Sequence, residues 1–315
     1  MPHAQIKKRD VDGLLLFDKP LGISSNRALQ QVKRLFKARK AGHTGSLDPL
    51  ASGLLPICLG QATKFSQYLL NADKEYEVSA RLGVRSTTGD LEGELTEGDH
   101  RSLDPELLNR ACQSLTGAQR QVPPMYSALK HAGRPLYELA RQGKTVARAP
   151  RDIVIHAFER IGGQLETPRF LVRCSKGTYI RTLIEDLGNR LGCGAHVTEL
   201  RRIGMRPFGR PVLIDLEQLT AAEDRAQLDD FLLPMDRAVE HLPSVVIDAA
   251  GCVELGHGRC PVAEMVCCQS VAEKHGDKPR LVRLYGPQQE FLGIGRYRDD
   301  GRIQAERLLR EVSIQ

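Results

Sequence analysis

The chain has 315 residues, 41% of them hydrophobic and 27% charged, and its 45 Lys and Arg against 39 Asp and Glu leave a formal net charge of +6. Those proportions are ordinary for a soluble globular protein with room for two domains, and no stretch approaches the roughly 20 apolar residues of a membrane helix. Residues Met1 to Asp10 lack the apolar core of a signal peptide, so a cytoplasmic protein is expected.

In chain order, Gly13 to Phe17 reads as a strand. Ser24 or Ser25 then caps a helix in which Leu29, Val32, Leu35 and Phe36 form one apolar stripe. Its basic end, Lys33, Arg34, Lys37, Arg39 and Lys40, suits a helix C-terminus and is also placed to meet phosphate. The run Gly42-His43-Thr44-Gly45-Ser46-Leu47-Asp48-Pro49-Leu50-Ala51-Ser52-Gly53 follows. It sets one carboxylate among glycines, near a histidine and just before a proline. Glycine opens backbone angles closed to other residues, and the residue before proline is pushed out of the helical region, so Asp48 belongs on a tight, non-helical connection. Such a loop can hold a carboxylate in a cleft; the alternative is that Asp48 only caps a turn, or a helix with Pro49 in its first position.

Leu54 to Leu59 reads as a buried strand, Ala62 to Leu70 as a helix and Glu75 to Leu82 as a strand. In the last, Tyr76, Val78, Ala80 and Leu82 alternate with polar residues, which puts Tyr76 on the buried face. Asp90 to Asp99, acidic and glycine-containing, reads as a solvated loop. Asp104-Pro105-Glu106 starts a helix that Gly117 ends. Pro123-Pro124 opens a basic excursion: from Tyr126 to Arg151 the residues Lys130, Arg134, Arg141, Lys144, Arg148 and Arg151 face only Glu138, around a short helix at Leu136 to Arg141. A polyanion would be drawn there first.

Phe170 to Cys174 reads as a strand, and Lys176-Gly177-Thr178 turns it into a helix with the stripe Ile180, Leu183, Ile184, Leu187 and Leu191. Arg181 falls off that stripe in the first turn. A cation is disfavoured there, so a carboxylate partner is expected. Pro234 and Pro243 bracket a linker, beyond which strand-like runs include Arg280 to Tyr285 and Glu290 to Tyr297. From Asp248 onward ten Lys or Arg balance ten Asp or Glu, so the positive excess lies earlier. The eight cysteines include no Cys-x-x-Cys pair; Cys252, Cys260, Cys267 and Cys268 read as free thiols, and no metal is expected. Strands among helices without a regular βαβ period indicate a mixed α+β catalytic domain.

Five segments together resemble the TruB-type family of tRNA pseudouridine synthases. They are Gly13 to Ser25, Gly42 to Gly53, Lys74-Glu75-Tyr76-Glu77-Val78, Lys176-Gly177-Thr178-Tyr179-Ile180-Arg181-Thr182-Leu183 and Val197-Thr198-Glu199-Leu200-Arg201-Arg202, in order over about 190 residues. The resemblance implies a mixed, mainly antiparallel sheet with flanking helices over residues 1–247, an RNA-gripping thumb near 123–151 and a small β-rich PUA-like domain over 248–315. It also implies a typically monomeric, cofactor-free enzyme that converts the uridine at position 55, in the TΨC loop of tRNA, into pseudouridine.

That isomerisation breaks N1–C1′, rotates the base and joins C5 to C1′ with no redox change. It needs an ionised carboxylate, a grip on the detached uracil and a route for the C5 proton. Asp48 fits the first task, whether it attacks C1′, attacks C6 or supports a glycal intermediate, and pairing with Arg181 would favour its charged form. By resemblance Tyr76 stacks on uracil or relays a proton, Tyr179 holds Tyr76 or the base, Leu200 supplies an apolar wall and His43 fills the space left by the flipped base. Lys19, Lys64 and Lys176 are candidate phosphate contacts. Two other readings are a non-enzymatic RNA-binding or RNA-folding protein, for which the basic excursion and the C-terminal domain would suffice, and a hydrolase that releases uracil. A glycosidase normally needs two carboxylates flanking the bond, and this motif offers one.

Overall fold

The computed structural model describes residues 8–99, 104–269 and 281–309, which form two main sheets of unequal size and two small two-stranded ones, Val84–Ser86 with Leu95–Glu97 and Lys130–His131 with Arg134–Pro135. The larger has eight strands: β1 (Gly13–Lys19), β2 (Ala41–His43), β3 (Ala51–Leu59), β4 (Lys74–Leu82), β5 (Gly117–Gln121), β6 (Arg151–Gly163), β7 (Pro168–Cys174) and β8 (Ala195–Met205). Their order is β1-β3-β8-β4-β7-β6-β5, with β2 beside the end of β3. Every pairing is antiparallel except that of β8 with β3. The helices that pack on this sheet or lie between its strands include α1 (Ser25–Leu35), α2 (Pro105–Ser114), α3 (Leu136–Arg141) and α4 (Ile180–Leu191).

The strand patterns follow from what covers them. Both faces of β1 are covered, so it is apolar throughout: Leu15 and Phe17 meet Ala28, Leu29 and Val32 of α1, while Leu14 and Leu16 meet Phe65 and Leu69. Strand β4 is covered on one face, and Tyr76, Val78, Ala80 and Leu82 enter a core shared with Leu108 of α2 and Leu183, Ile184 and Leu187 of α4. The helices carry their own start and stop signals. Ser24 accepts from the Arg27 N–H, Asp104 accepts from the Glu106 N–H with Pro105 following, and Gly192 ends α4 at φ +74°. A cap of the first kind contributes about 1 kcal/mol.

Three sequence expectations are corrected. The helix expected over Ala62 to Leu70 is a 3-10 turn, Gly60–Lys64, and a short helix, Ser66–Leu70, because Phe65 between them turns fully into the core. The interval between Pro234 and Pro243 is no free linker: the 3-10 turn Met235–Val239 buries Ala238 and Val239 against Leu14 and Phe65. The second sheet begins at Ser244, ahead of the expected boundary at 248, because Val245 and Ile247 alternate into its core.

That second sheet comprises β9 (Ser244–Ile247), β10 (Val266–Gln269), β11 (Leu281–Tyr285), β12 (Phe291–Tyr297) and β13 (Ile303–Leu308), in the order β10-β9-β11-β12-β13. Arg280, the expected start of one strand, lies outside the described residues, as do the side chains of Cys267 and Cys268. The two sheets meet through side chains. The Phe65 ring centroid lies 5.3 Å from that of Phe291, which lies 5.6 Å from that of Tyr285, and the Lys64 ammonium donates to the Leu308 carbonyl at 2.7 Å. Among the described residues no helix is long and apolar enough to cross a membrane.

Candidate active site

Asp48 lies in the connection from β2 to β3, and the start of α1 holds that connection in place. The Leu47 N–H donates to Ser25 Oγ at 2.7 Å, and the same hydroxyl donates to the Leu47 carbonyl at 3.0 Å. The Gly22 N–H donates to the Pro49 carbonyl at 2.8 Å, and the Ala51 N–H to the Asp48 carbonyl at 3.0 Å. Asp48 therefore sits in a pinned turn and caps no helix. Gly53, just beyond, is the one residue that fits where β3 meets β8. Its φ is +95°, and an added Cβ would lie 2.2 Å from the Arg202 carbonyl oxygen.

Arg181 projects from the first turn of α4 into the space behind Asp48. Its side chain is 5% exposed, and it reaches Asp48 Oδ2 at 3.0 Å through Nη2 and Asp90 Oδ2 at 3.4 Å through Nη1. The remaining donors satisfy the Thr88 carbonyl at 2.8 Å and the Tyr126 carbonyl at 2.6 Å. The carboxylate partner expected from the helix position is thus a pair. Asp90, expected in a solvated loop, is instead buried; it accepts from Thr88 Oγ1 at 2.5 Å and from the Glu92 N–H at 3.0 Å. An arginine removed from water needs opposite charge, and this need pulls the acidic loop inward.

The Asp48 side chain is 42% exposed, but its carboxylate is crowded by protein. Withdrawal from water pushes its pKa above the usual aspartate value; Arg181 and Lys19 oppose the rise, and Asp90 adds to it. In front of Asp48 lies a cavity of about 360 Å³, walled by Tyr76, Tyr179, Arg181, Leu200 and Arg202. Tyr76 and Tyr179 both have hydroxyl pKa values raised, chiefly by burial. Tyr179 precedes α4, and the Gln121 amide fixes its backbone by accepting from its N–H at 2.8 Å and donating to its carbonyl at 3.1 Å. A second cavity of about 430 Å³ opens on the other side of Asp48 and includes His43, Ser25, Tyr126, Tyr137 and Arg141. His43 has its pKa lowered by burial and then by the positive charge of Arg202, and its Nδ1 is buried without a partner. A neutral ring at this place suits stacking.

The structure brings together Asp48, Tyr76, Tyr179, Arg181 and Leu200 in one cavity and puts His43 in its neighbour. The lysines divide. Lys19 is fully buried, and its ammonium donates to the Pro20 and Ile23 carbonyls, each at 2.8 Å, so the phosphate role expected of it is corrected to an internal one. Burial pulls its pKa down to about 8. Lys64 lies in the seam with the second sheet, away from Asp48, and its ammonium is taken up by Gln61 and Leu308. Lys176 is exposed. It lines a groove of about 730 Å³ with Arg120 and Arg151, next to the Asp48 cavity.

Two cations in the site went unread in the sequence. Lys74 is buried, donates to the Leu70 carbonyl at 2.9 Å and the Ala72 carbonyl at 2.5 Å, and has its pKa drawn down to about 8 by burial. Arg202 is 1% exposed. Arg202 shares a face with Leu200, two residues before it, but a bulge between Val197 and Glu199 shifts the alternation, so a period of two counted from Val197 would have put Arg201 inward instead.

Three family models match the chain: "TruB family pseudouridylate synthase (N terminal domain)" over residues 33–180, "tRNA pseudouridylate synthase B C-terminal domain" over 181–240, and "Pseudouridine synthase II TruB, C-terminal" over 243–309. Among curated proteins, the tRNA pseudouridine synthase B of Methylobacillus flagellatus is 50% identical over 308 residues, covering 97% of each chain. That of Coxiella burnetii (strain Dugway 5J108-111) is 47% identical over 313 residues, 98% of each. Among solved structures, a chain of a Cbf5-Nop10-Gar1 complex superposes with a TM-score of 0.72 at 27% identity, covering 94% of this chain and 84% of that one. A chain of an H/ACA RNP bound to a substrate RNA containing 2′-deoxyuridine shares the fold, with a TM-score of 0.73 at 24% identity over 96% of this chain and 86% of that one.

Proposed function

This chain belongs to the TruB family of pseudouridylate synthases, and we propose that it acts on tRNA, converting the uridine at position 55 of the TΨC loop into pseudouridine. The observation that carries this reading is the ion pair of 3.0 Å between Arg181 and Asp48 at the back of a cavity whose facing wall is Tyr76. It presents one usable carboxylate to a flat, base-sized space. Asp90 sits behind Arg181 and is 6% exposed at its side chain, so it cannot flank a glycosidic bond as the second carboxylate of a hydrolase does. Rearrangement therefore has more support than hydrolysis.

In this reading the target nucleotide leaves its stack and enters the 360 Å³ cavity, and the neutral His43 ring fills the gap behind it. Asp48, ionised and held by Arg181, assists cleavage of N1–C1′. Tyr76 offers its ring to the freed uracil and Leu200 limits its tilt. C5 then bonds to C1′, the C5 proton passes through the Tyr76 hydroxyl to solvent, and N1 ends protonated, so atoms and charge balance. The basic thumb, whose Arg141 guanidinium lies 5.6 Å from the Tyr137 ring centroid beside the second cavity, supplies contacts to the phosphate backbone, as do Lys176 and Arg151 in the adjoining groove. The enzyme works in the cytoplasm as a monomer and without a cofactor.

The test is a tRNA stem-loop carrying C5-tritiated uridine. Tritium release together with pseudouridine at position 55 supports the proposal, and their disappearance when that uridine is replaced by cytidine supports the position. RNA binding with neither product would leave a binding protein, and release of free uracil would mean a hydrolase.

A further inference from the structure

Arg202, at 1% exposed, is the most deeply buried residue lining the cavity, and it stands between both halves of the machinery. It stands opposite Tyr76 in the antiparallel pairing of β8 with β4. Side chains opposite each other in such a pair share a face and lie within reach. On its other side its Nε donates to the Leu54 carbonyl of β3 at 2.6 Å, and one terminal nitrogen donates to the Gly45 carbonyl in the Asp48 loop at 3.0 Å. The other terminal nitrogen passes 3.5 Å from where a Cβ on Gly45 would stand. The guanidinium and the Tyr76 side chain line the same cavity, and the positive charge of Arg202 works against the rise that burial gives the Tyr76 pKa.

We infer that Arg202 is a positioning residue for the reaction: it fixes the Asp48 loop through Gly45 and, by donating to the Tyr76 oxygen, leaves the tyrosine proton free to meet an acceptor in the cleft. The inference rests on the proposed chemistry of Asp48 and Tyr76 and adds a third residue to it. Donor and acceptor inventories decide where the proton points. A guanidinium has five donors and no acceptor, so the phenol oxygen can only accept from it, and the single O–H must point elsewhere. A phenol held in this way is set to take a proton on its oxygen or give one outward. The other charged or titratable groups around Tyr76 are Asp48 across the cavity, Cys174 on β7 and Lys74 beside it on β4. Lys74 is occupied by backbone carbonyls, which leaves Arg202 to orient the hydroxyl.

Two conservative variants test this, Arg202→Lys and Arg202→Met, each alone and combined with Tyr76→Phe. Both single variants are expected to lower the single-turnover rate on the stem-loop by about 10- to 100-fold, the worth of a hydrogen bond to a charged group, with RNA affinity within about threefold of the parent. In the Tyr76→Phe background the same substitutions are expected to cost distinctly less, because the hydroxyl they act through is gone. A readout independent of turnover is the tyrosine Cζ resonance in protein labelled with ¹³C at that carbon. The chain has seven tyrosines, and the line that disappears in Tyr76→Phe identifies the one of interest. Expected is a displacement of that line in both Arg202 variants, with the Tyr179 line moved less. An unmoved Tyr76 line, or an Arg202 cost that is undiminished by Tyr76→Phe, overturns the inference. Either result leaves the proposed activity standing, since that fails only if the parent protein makes no pseudouridine.

Discussion

Replacing Arg181 by lysine keeps the charge and removes the geometry. The guanidinium spans Asp48 at 3.0 Å and Asp90 at 3.4 Å while satisfying the Thr88 and Tyr126 carbonyls at 2.8 and 2.6 Å. An ammonium is a single point with three donors on a shorter reach, so it can serve one carboxylate and a carbonyl but not all four groups. Two of the four groups lose the donor that Arg181 gave them, one of them a carboxylate. A hydrogen bond to a charged group is worth about 1.5–3 kcal/mol, and the partial exposure of Asp48 puts its share at the lower end. A penalty of about 3–4 kcal/mol follows, equivalent to a rate reduced by about 100- to 1000-fold if these bonds matter in the transition state. Single-turnover tritium release from the labelled stem-loop measures the rate, filter binding the affinity and thermal melting the stability. Expected are a rate in that range, an affinity changed by no more than a few-fold and a lowered melting temperature. A rate within about threefold of the parent at an unchanged melting temperature would refute the claim that one planar cation must hold both carboxylates.

Asp48→Asn keeps the shape and removes the ionised carboxylate, so turnover should vanish while RNA affinity stays within a few-fold, measured on protein free of deamidation. Asp90 raises the Asp48 pKa, and the proposed chemistry requires Asp48 ionised, so the rate should fall as pH drops through that pKa; Asp90→Asn should move the acid limb of the pH–rate profile to lower pH, and an unmoved limb would exclude this coupling. Replacing Arg141, Lys144 and Arg148 together by Ala should weaken RNA binding far more at low salt than at high salt, flattening the salt slope by up to about one unit for each phosphate no longer neutralised, with a smaller effect on the saturated rate. Gly53→Ala, which sets a Cβ 2.2 Å from the Arg202 carbonyl oxygen at a φ of +95°, should destabilise the fold by more than about 1 kcal/mol in denaturant titration.

What could be read from the residues alone follows a physical line. A period of two puts Tyr76 on the buried face, and Arg181 stands out by lying off an apolar helical stripe; both patterns are local. Asp90 and Lys19 defeat such reading because side-chain type is a poor guide where long-range pairing decides burial. Asp90 sits in an acidic, glycine-containing run that resembles any solvated loop, and only the approach of Arg181 from a residue 91 positions later draws it in. Lys19 carries a charge that composition assigns to the surface, but the turn Pro20 to Ile23 folds its carbonyls over the ammonium. Strand β6, at 13 residues the longest among the described residues, escapes notice because it follows directly on the basic excursion and a bulge between Ile155 and Ala157 buries Ala157 and Phe158 side by side, which breaks its alternation.

The aromatic seam between the sheets bears on how the protein can be cut and how it melts. Phe65, Phe291 and Tyr285 pack as tilted rings along it, and Ile294 of the second sheet belongs to the same apolar cluster as Leu14 and Leu16 of β1. A truncation before Ser244 would therefore uncover the flank of the strand that frames the Asp48 loop, and the resulting fragment would present sticky apolar surface to its neighbours. Cooperativity should extend across the seam. A single calorimetric transition for the whole chain, with the calorimetric and van't Hoff enthalpies in agreement, is the thermodynamic signature of two sheets that share one hydrophobic cluster.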